Sequence, residues 1–212
     1  MVTSPPNRGL EARAPALSTD QIYTLPNLLT ALRFVFAVLL FVLIAFGAWV
    51  GCLVVFLLAA VTDWLDGFLA RRWGVTSAVG RNLDPMADKV LTCGAFVFLL
   101  PYGEKDGWLV PWMVTLVVVR ELLITGLRSF LEAHGAKFGA DWLGKLKMGL
   151  QCAALIAIFV AFFGWAPGSS AAAFFDAARG GLIYAMLAAT ALSGLQYLWR
   201  AFLILQSATR NP

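Results

Sequence analysis

Hydrophobic and polar positions along this chain alternate in long blocks, without the short periods of a soluble helix or strand. The apolar blocks are separated by Gly, Pro or charged residues, and several approach the roughly 20 residues that a membrane-spanning helix needs. The pattern predicts six spanning helices, near residues 28 to 48, 50 to 70, 86 to 101, 108 to 130, 147 to 165 and 181 to 206.

The N-terminal region differs from the rest of the chain. Residues 1–20 mix Pro, Ser, Ala and charges of both signs. Because they lack the apolar stretch of a signal peptide, we expect a mobile tail there. Ser18 and Gln21 have capping-box spacing, which predicts a short juxtamembrane segment ahead of the first span. With no internal repeat, residues 21–208 are expected to form a single membrane domain.

The composition supports an all-α integral membrane protein. Of the 212 residues, 60% are hydrophobic and 13% are charged, and the mean hydropathy is +0.80. One soluble core of this size cannot bury so much apolar surface. Cys52, Cys93 and Cys152 lie in apolar runs without metal-ligand spacing, so we interpret them as small buried hydrophobes.

The basic residues predict the orientation. Six spans place both termini on one side, and most Lys and Arg residues fall there, in the tail, in the connections after the second and fourth spans and at the C-terminal end. The opposite connections carry only Lys105 and Arg179. The positive-inside rule therefore places both termini at the cytoplasm. We attribute the net charge of +4 to this topology and to anionic lipids, and not to nucleic acid, because no soluble binding module is present.

A polar stretch between the second and third spans breaks the apolar pattern. Residues 62–89, TDWLDGFLARRWGVTSAVGRNLDPMADK, hold four of the chain's 12 acidic residues: Asp63, Asp66, Asp84 and Asp88. The first two are spaced i, i+3 and the last two i, i+4, so each pair is expected on one face of its helix. Two antiparallel helices joined by a short turn would direct all four carboxylates into one cleft, which faces the cytoplasm in the orientation above.

Carboxylates gathered at a membrane need positive charge nearby. An Asp at mid-bilayer costs about 2.5 to 3.5 kcal/mol on insertion scales. Salt bridges to Arg71 and Arg81 are one answer. Clustered carboxylate oxygens also suit Mg²⁺ or Mn²⁺, and two such ions can clamp the attacking and leaving oxygens of a phosphoryl displacement. We favour the metals, because polar residues inside membrane segments are usually functional.

The spacing of this stretch resembles a known family. It matches in full the signature of the CDP-alcohol phosphotransferases (class I CDP-alcohol phosphatidyltransferases), with Asp63, Asp66, Gly67, Ala70, Arg71, Gly80, Asp84 and Asp88 at the fixed positions. LPNLLTALR at 25–33, VVRELLITGLR at 118–128 and WLGKLKMGLQ at 142–151 are similar to the phosphatidylglycerophosphate synthase branch. The resemblance implies a six-helix homodimer with a cytosol-facing polar cavity.

The resemblance also implies roles for individual residues. Asp63 and Asp84 would contact both metals, Asp66 and Asp88 one each, and Asp88 would be the general base. The residues expected to hold CDP-diacylglycerol are Asn27, Thr30, Gly67, Arg71 and Ser77. Gly67 lets a nucleotide lie against the backbone, and the planar fork of Arg71 suits phosphate oxygens.

A second group of cations predicts the site of the acceptor. Arg120 lies inside an apolar span, Arg128 follows about two turns later, and Lys145 begins the fifth span. We expect these three to bind the phosphate of glycerol 3-phosphate, with Arg33 and Lys147 as lesser contributors. An ion pair between Arg120 and Glu121 is the alternative, which we disfavour because adjacent residues do not face each other on a helix.

The expected reaction joins CDP-diacylglycerol and sn-glycerol 3-phosphate into phosphatidylglycerophosphate and CMP, at the cytoplasmic face of a bacterial plasma membrane. A CMP-forming cardiolipin synthase, phosphatidylserine synthase or phosphatidylinositol-phosphate synthase would share the aspartates and differ in the acceptor pocket. A divalent-cation transporter is a further alternative, but it predicts carboxylates near mid-bilayer on several helices. A non-catalytic scaffold leaves the aspartates unexplained.

Overall fold

The computed structural model describes residues 25–73, 78–133 and 142–210. They form six α-helices and, within these ranges, no strand: α1 Leu25–Ala45, α2 Trp49–Trp73, α3 Ala78–Asp106, α4 Pro111–Ala133, α5 Trp142–Ala161 and α6 Ser170–Arg210. The all-α prediction is confirmed. The predicted tail and the Ser18 capping box lie outside the described residues.

Three helices begin well before the residues that the apolar pattern predicts. α3 begins at Ala78, α5 at Trp142 and α6 at Ser170, where the pattern placed the starts near residues 86, 147 and 181. The first turns of α3 carry Arg81 and Asp84, which hydropathy assigns to a loop. Hydropathy detects the part of a helix that suits lipid, whereas the backbone hydrogen bonds continue into more polar surroundings.

Membrane character is evident from three of the described helices. Met86–Asp106, Trp142–Ala161 and Ser170–Ile204 are long and apolar enough to cross a bilayer, and Ala31–Ala45 and Trp49–Asp63 are shorter apolar helices. α4 differs because Arg120, Glu121 and Arg128 interrupt its apolar sequence. The outer surface carries many exposed large apolar side chains, as expected where lipid replaces water.

The helices pack so that α3 lies near the centre of the polar residues. α1 contacts α2 and α3, α5 contacts α6, and α3 also contacts α4 and α5. Buried Leu, Ile and Phe side chains of these helices form one apolar core that includes Leu40, Phe56 and Leu155. α1 and α3 pack closely at Gly94, where a Cβ atom would lie 2.2 Å from Cζ of Phe41.

One end of the bundle is aromatic. Near the C-terminal ends of α1, α3 and α5, the rings of Trp49 and Phe162 stack with centroids 4.1 Å apart, and Tyr102 meets Trp49 edge-on at 4.8 Å. The Tyr102 hydroxyl donates to the carbonyl oxygen of Ile44 at 2.9 Å. Trp108 also lies against Phe162. We call Trp49, Tyr102, Trp108 and Phe162 the aromatic end.

Candidate active site

The opposite end of the bundle contains a buried polar layer. Its members are buried and come from five helices: Arg33, Thr92, Glu121, Lys147, Gln151, Thr190 and Ser193. Polar groups removed from water in an apolar bundle are costly unless they have partners. The partners of this layer therefore define the site.

The first part of the layer is an ion pair at the aspartates. Nη2 of Arg33 lies 2.6 Å from Oδ1 of Asp63, and the two side chains are 2% and 43% exposed. Arg33 thus supports Asp63 from inside the bundle, while the carboxylate keeps an exposed side. This contact places Arg33 beside the aspartates; its contribution to an acceptor pocket stays a prediction.

Asp88 on α3 interacts electrostatically both with the pair at Asp63 and with the charges of the later helices. Its side chain is partly buried. Two groups of charges contribute to the electrostatic potential at its carboxylate. One is Asp63 with Arg33, and the other is Lys147 with Glu121. Asp88 is therefore the described carboxylate that is close to both groups of charges.

Glu121 is the centre of the second part of the layer. Its Oε1 atom accepts from Nη1 of Arg120 at 3.1 Å and also from Nζ of Lys147 on α5. Glu121 is 6% exposed and Lys147 4%. The expectation that Arg120 and Glu121 would not pair is wrong, because both side chains are long enough to meet away from the helix surface.

Arg120 extends from α4 onto α6. Its Nη2 donates to Oγ of Ser193 at 2.8 Å, and the guanidinium lies 5.8 Å from the ring centroid of Tyr197. The Arg120 stem passes Gly194, where a Cβ atom would lie 3.3 Å from Cγ of the arginine. These contacts fix the guanidinium beside Glu121.

Lys89 joins the same group from α3. Its Nζ donates to Oγ1 of Thr125, and that hydroxyl donates to the main-chain oxygen of Glu121 at 2.6 Å. The sequence predicted no binding role for Lys89. Its place directly after Asp88 is the sequence signal that points to the site.

The remaining acceptor residues lie farther out. Lys145 is exposed, whereas Lys147 is buried against Glu121. Residues two positions apart on a helix are separated by about 200° around its axis, so the two lysines cannot share one face. Arg128 is partly buried about two turns beyond Arg120 on α4. The structure therefore joins Arg120 with Lys147; the roles of Lys145 and Arg128 stay predictions.

Several of the predicted site residues are not among the described side chains. Ser77 lies outside the described residues. For six others the helical backbone is described and the side chain is not: Asn27, Thr30, Asp66, Gly67, Arg71 and Asp84. α2 runs unbroken through positions 63 and 66, and α3 through 84 and 88. The helical spacing that the shared-face prediction needs is therefore confirmed.

The described side chains include two carboxylates suited to a hard cation, those of Asp63 and Asp88. Among these side chains, no group of three or more His, Cys, Asp or Glu residues has the spacing of a complete metal site. Both aspartates are only partly buried, and carboxylate oxygens are the ligands that Mg²⁺ and Mn²⁺ prefer. These two residues fit a divalent metal as part of a larger ligand set.

An apolar groove opens next to the polar layer. It lies between α4 and α6, has a volume of about 770 Å³ and is lined by residues that include Trp112, Leu123, Leu195 and Leu198. Arg120 and Thr190 are the polar-layer neighbours among its lining residues. Its size is typical of a small-molecule site, whose usual range is about 300 to 1,000 Å³.

Comparison with known proteins covers most of this architecture. The family model for CDP-alcohol phosphatidyltransferase matches residues 23–192, which include α1 to α5 and the first half of α6. Three bacterial relatives are named CDP-diacylglycerol–glycerol-3-phosphate 3-phosphatidyltransferase. The Pectobacterium atrosepticum protein is 37% identical over 150 residues, 68% of this chain and 79% of that protein.

The other two relatives extend the match. The Sodalis glossinidius protein is 35% identical over 182 residues, 84% of this chain and 94% of its own length. The Escherichia coli K12 protein is 35% identical over 161 residues, 74% of this chain and 87% of its own.

Proposed function

The chain belongs to the CDP-alcohol phosphatidyltransferase family, and from this membership we propose that it transfers the phosphatidyl group of CDP-diacylglycerol to sn-glycerol 3-phosphate. The products are phosphatidylglycerophosphate and CMP, so the protein is a membrane-bound transferase of phospholipid biosynthesis. One observation supports an acceptor that carries a phosphate above one that does not. The carboxylates Asp63 and Asp88 have the cations Arg120 and Lys147 in the same part of the bundle, and these cations suit an acceptor phosphate.

Members of this family depend on divalent metal ions. We propose that two Mg²⁺ or Mn²⁺ ions are held by the four aspartates, of which Asp63 and Asp88 have described side chains with accessible oxygens. When bound, such ions neutralise the charge that develops on the pyrophosphate during the displacement. Arg33 would keep the Asp63 carboxylate in position from the buried side.

The chain's own groups would supply the proton transfer and the positioning. Asp88 would accept the proton of the glycerol 3-phosphate hydroxyl, whose oxygen forms a new bond to the phosphorus attached to diacylglycerol. The bond from that phosphorus to the CMP oxygen breaks, and CMP leaves with the electron pair. General-base assistance of this kind contributes typically about 10² to 10⁴ in rate.

Both substrates would reach the site from different directions. The residues proposed for the CDP-diacylglycerol head are Asn27, Thr30, Gly67, Arg71 and Ser77. Arg120, Arg128 and Lys145 are proposed for the acceptor phosphate, with Lys147 added because of its contact with Glu121. The groove between α4 and α6 is apolar and would take part of an acyl chain, so the lipid tail would stay out of water.

Location and assembly follow from the family and the charge distribution. The relatives are bacterial, and we propose the inner membrane, with both termini and the active site on the cytoplasmic side where most basic residues lie. A homodimer and a single membrane domain over residues 21–208 belong to the same proposal.

The direct test is CMP release by detergent-purified protein supplied with CDP-diacylglycerol and Mg²⁺. Glycerol 3-phosphate, serine, inositol phosphate and phosphatidylglycerol would be offered separately, each with and without EDTA. We expect release only with glycerol 3-phosphate and none with EDTA. Release with a different acceptor would keep the aspartate chemistry and overturn the acceptor assignment. Release that EDTA leaves unchanged would overturn the metal sites.

A further inference from the structure

The charges around Glu121 do not balance. Arg120 and Lys147 contact this one carboxylate directly, and a third cation, Lys89, lies close by, linked through Thr125 to the main-chain oxygen of Glu121. Arg120 and Lys147 are only 10% and 5% exposed. Buried charges without a counterion are strongly unfavourable. The group therefore has an excess of positive charge that a bound anion would relieve.

The nearby aspartates have other partners. Asp63 pairs with Arg33, and the proposed function assigns Asp88 to the metals and the acceptor hydroxyl. Asp88 otherwise offsets part of the charge of Lys89 and Lys147, so once the metals neutralise it an excess of two positive charges remains. This excess matches a phosphate monoester, which carries about −1.5 to −2 at neutral pH. An uncharged alcohol would leave the excess in place.

The three cations also keep hydrogen-bond donors available. Lys147 has three N–H bonds, of which Glu121 accepts one. Nη1 and Nη2 of Arg120 donate to Glu121 and Ser193, and its buried Nε–H has no partner among the described residues. Lys89 donates to a hydroxyl and to no described carboxylate. Arg120 is thus held at two points and each lysine at one, and all three cations keep further donors for an anion.

We propose that Glu121 is a positioning residue whose carboxylate fixes Arg120 and Lys147 as a preformed site for the phosphate of the acceptor, and that Lys89, held by Thr125, is a direct ligand of the same phosphate. This inference rests on the proposed function, because it assumes a phosphorylated acceptor. Preformation matters since free Lys and Arg side chains lose considerable rotamer freedom when they bind.

A purely structural salt bridge between α4 and α5 is the competing explanation. It predicts that Glu121 and Lys147 affect stability alone. The positioning role predicts instead that the length of the carboxylate side chain matters for the acceptor even when its charge is kept.

Three variants separate these explanations in the full-length, detergent-purified enzyme. Glu121→Asp keeps the charge and shortens the reach. Glu121→Gln/Lys147→Gln removes one charge of each sign, so the buried charge stays balanced and folding is favoured. Lys89→Gln removes one cation. Lys105→Gln, on the exposed far end of α3, and Asp176→Asn/Arg179→Gln, a distant ion pair, are the matched controls.

The readouts are the KM for glycerol 3-phosphate, the KM for CDP-diacylglycerol, and the rise in melting temperature on adding glycerol 3-phosphate alone. For all three variants we expect the KM for glycerol 3-phosphate to rise about ten-fold or more, as when a charge-assisted hydrogen bond is lost. The KM for CDP-diacylglycerol should stay within about two-fold of wild type, and the ligand-induced melting shift should shrink. The controls should match wild type.

Equal changes in both KM values, or wild-type values in Glu121→Asp and Lys89→Gln, would overturn the inference. The ligand-induced melting shift tests this inference independently of the proposed function. If wild-type protein released CMP only with another acceptor, the proposed function would fail. The phosphate site would then still be supported if inorganic phosphate stabilised wild type and not the variants. It would be overturned if inorganic phosphate stabilised neither wild type nor the variants.

Discussion

The two ends of this bundle are built from the same helices and differ in how their buried polar groups are satisfied. At the aromatic end, Tyr102 donates to a main-chain carbonyl, the rings pack on one another, and the Arg179 guanidinium lies over the Trp108 ring. At the polar end, Arg33, Glu121 and Lys147 find their partners in charged side chains of other helices. The aromatic end therefore stabilises the bundle, while the polar end keeps charges ready for substrates at some expense of stability.

Asp88→Asn, at the polar end, should have the largest effect on activity and little effect on stability. We expect the rate of CMP release to fall about 10² to 10⁴-fold, the usual range when a general base is lost. The melting temperature should stay the same or rise, because Asn removes a charge that is held partly away from water. Initial rates with saturating substrates and a thermal melt measure both quantities. Glu104→Gln, at the exposed end of the same helix, is the control, and comparable rates in the two variants would contradict the assignment.

Phe162→Ala, at the aromatic end, should lower stability and leave the kinetics unchanged. Loss of the ring that stacks on Trp49 removes apolar contact and leaves a cavity. We expect a loss of about 3 kcal/mol in stability, the low end for Phe→Ala because this ring is only partly buried. Chemical denaturation in detergent measures it. Both KM values of the folded fraction should match wild type, and a selective change in the KM for glycerol 3-phosphate would contradict the separation of the ends.

Gly94→Val tests the packing that joins the two ends. A Cβ atom at this position would lie 2.2 Å from Cζ of Phe41, so α1 and α3 must move apart or the ring must rotate. Overpacking of this kind costs typically about 1 to 3 kcal/mol. Because Arg33 and Asp88 lie on these two helices, we also expect a lower rate of CMP release, measured alongside the denaturation curve. Phe41→Leu in the same chain should restore part of the stability, and no such rescue would mean that the contact is unimportant.

Tyr102→Phe should have the smallest effect. It removes the hydroxyl that donates to Ile44 and keeps the ring against Trp49. We expect a loss of about 1 kcal/mol in stability, as for one neutral hydrogen bond, and unchanged kinetics. A denaturation midpoint measures the change. A loss as large as that of Phe162→Ala would show that the hydrogen bond, and not ring packing, stabilises this end.

Much of this architecture was predictable from local sequence properties. Six apolar blocks gave six helices in the right order, because hydropathy and backbone hydrogen bonding both act over a few turns. The starts of α3, α5 and α6 were misplaced, since helical structure continues beyond the apolar residues. The aspartate spacing also predicted a catalytic hairpin, and the helices are continuous through those positions.

The partners of the charges were not predictable in the same way. Arg33 was linked to the acceptor, yet it pairs with Asp63 on the neighbouring helix. The sequence suggested Glu121 only as an ion-pair partner of Arg120, and that pair was disfavoured. In the structure Glu121 pairs with Arg120 and also with Lys147 on another helix. Neither partnership has a fixed sequence spacing that a pattern could detect.

The sequence by itself determined the membrane class, the family and the positions of the aspartates, because hydropathy and helical periodicity are properties of adjacent residues. Only the tertiary structure decided which cations meet which carboxylates. The contact of Lys147 with Glu121 spans 26 residues and that of Lys89 with Thr125 spans 36. The rotation of each helix about its axis sets these contacts, and the packing of apolar faces against neighbouring helices sets that rotation.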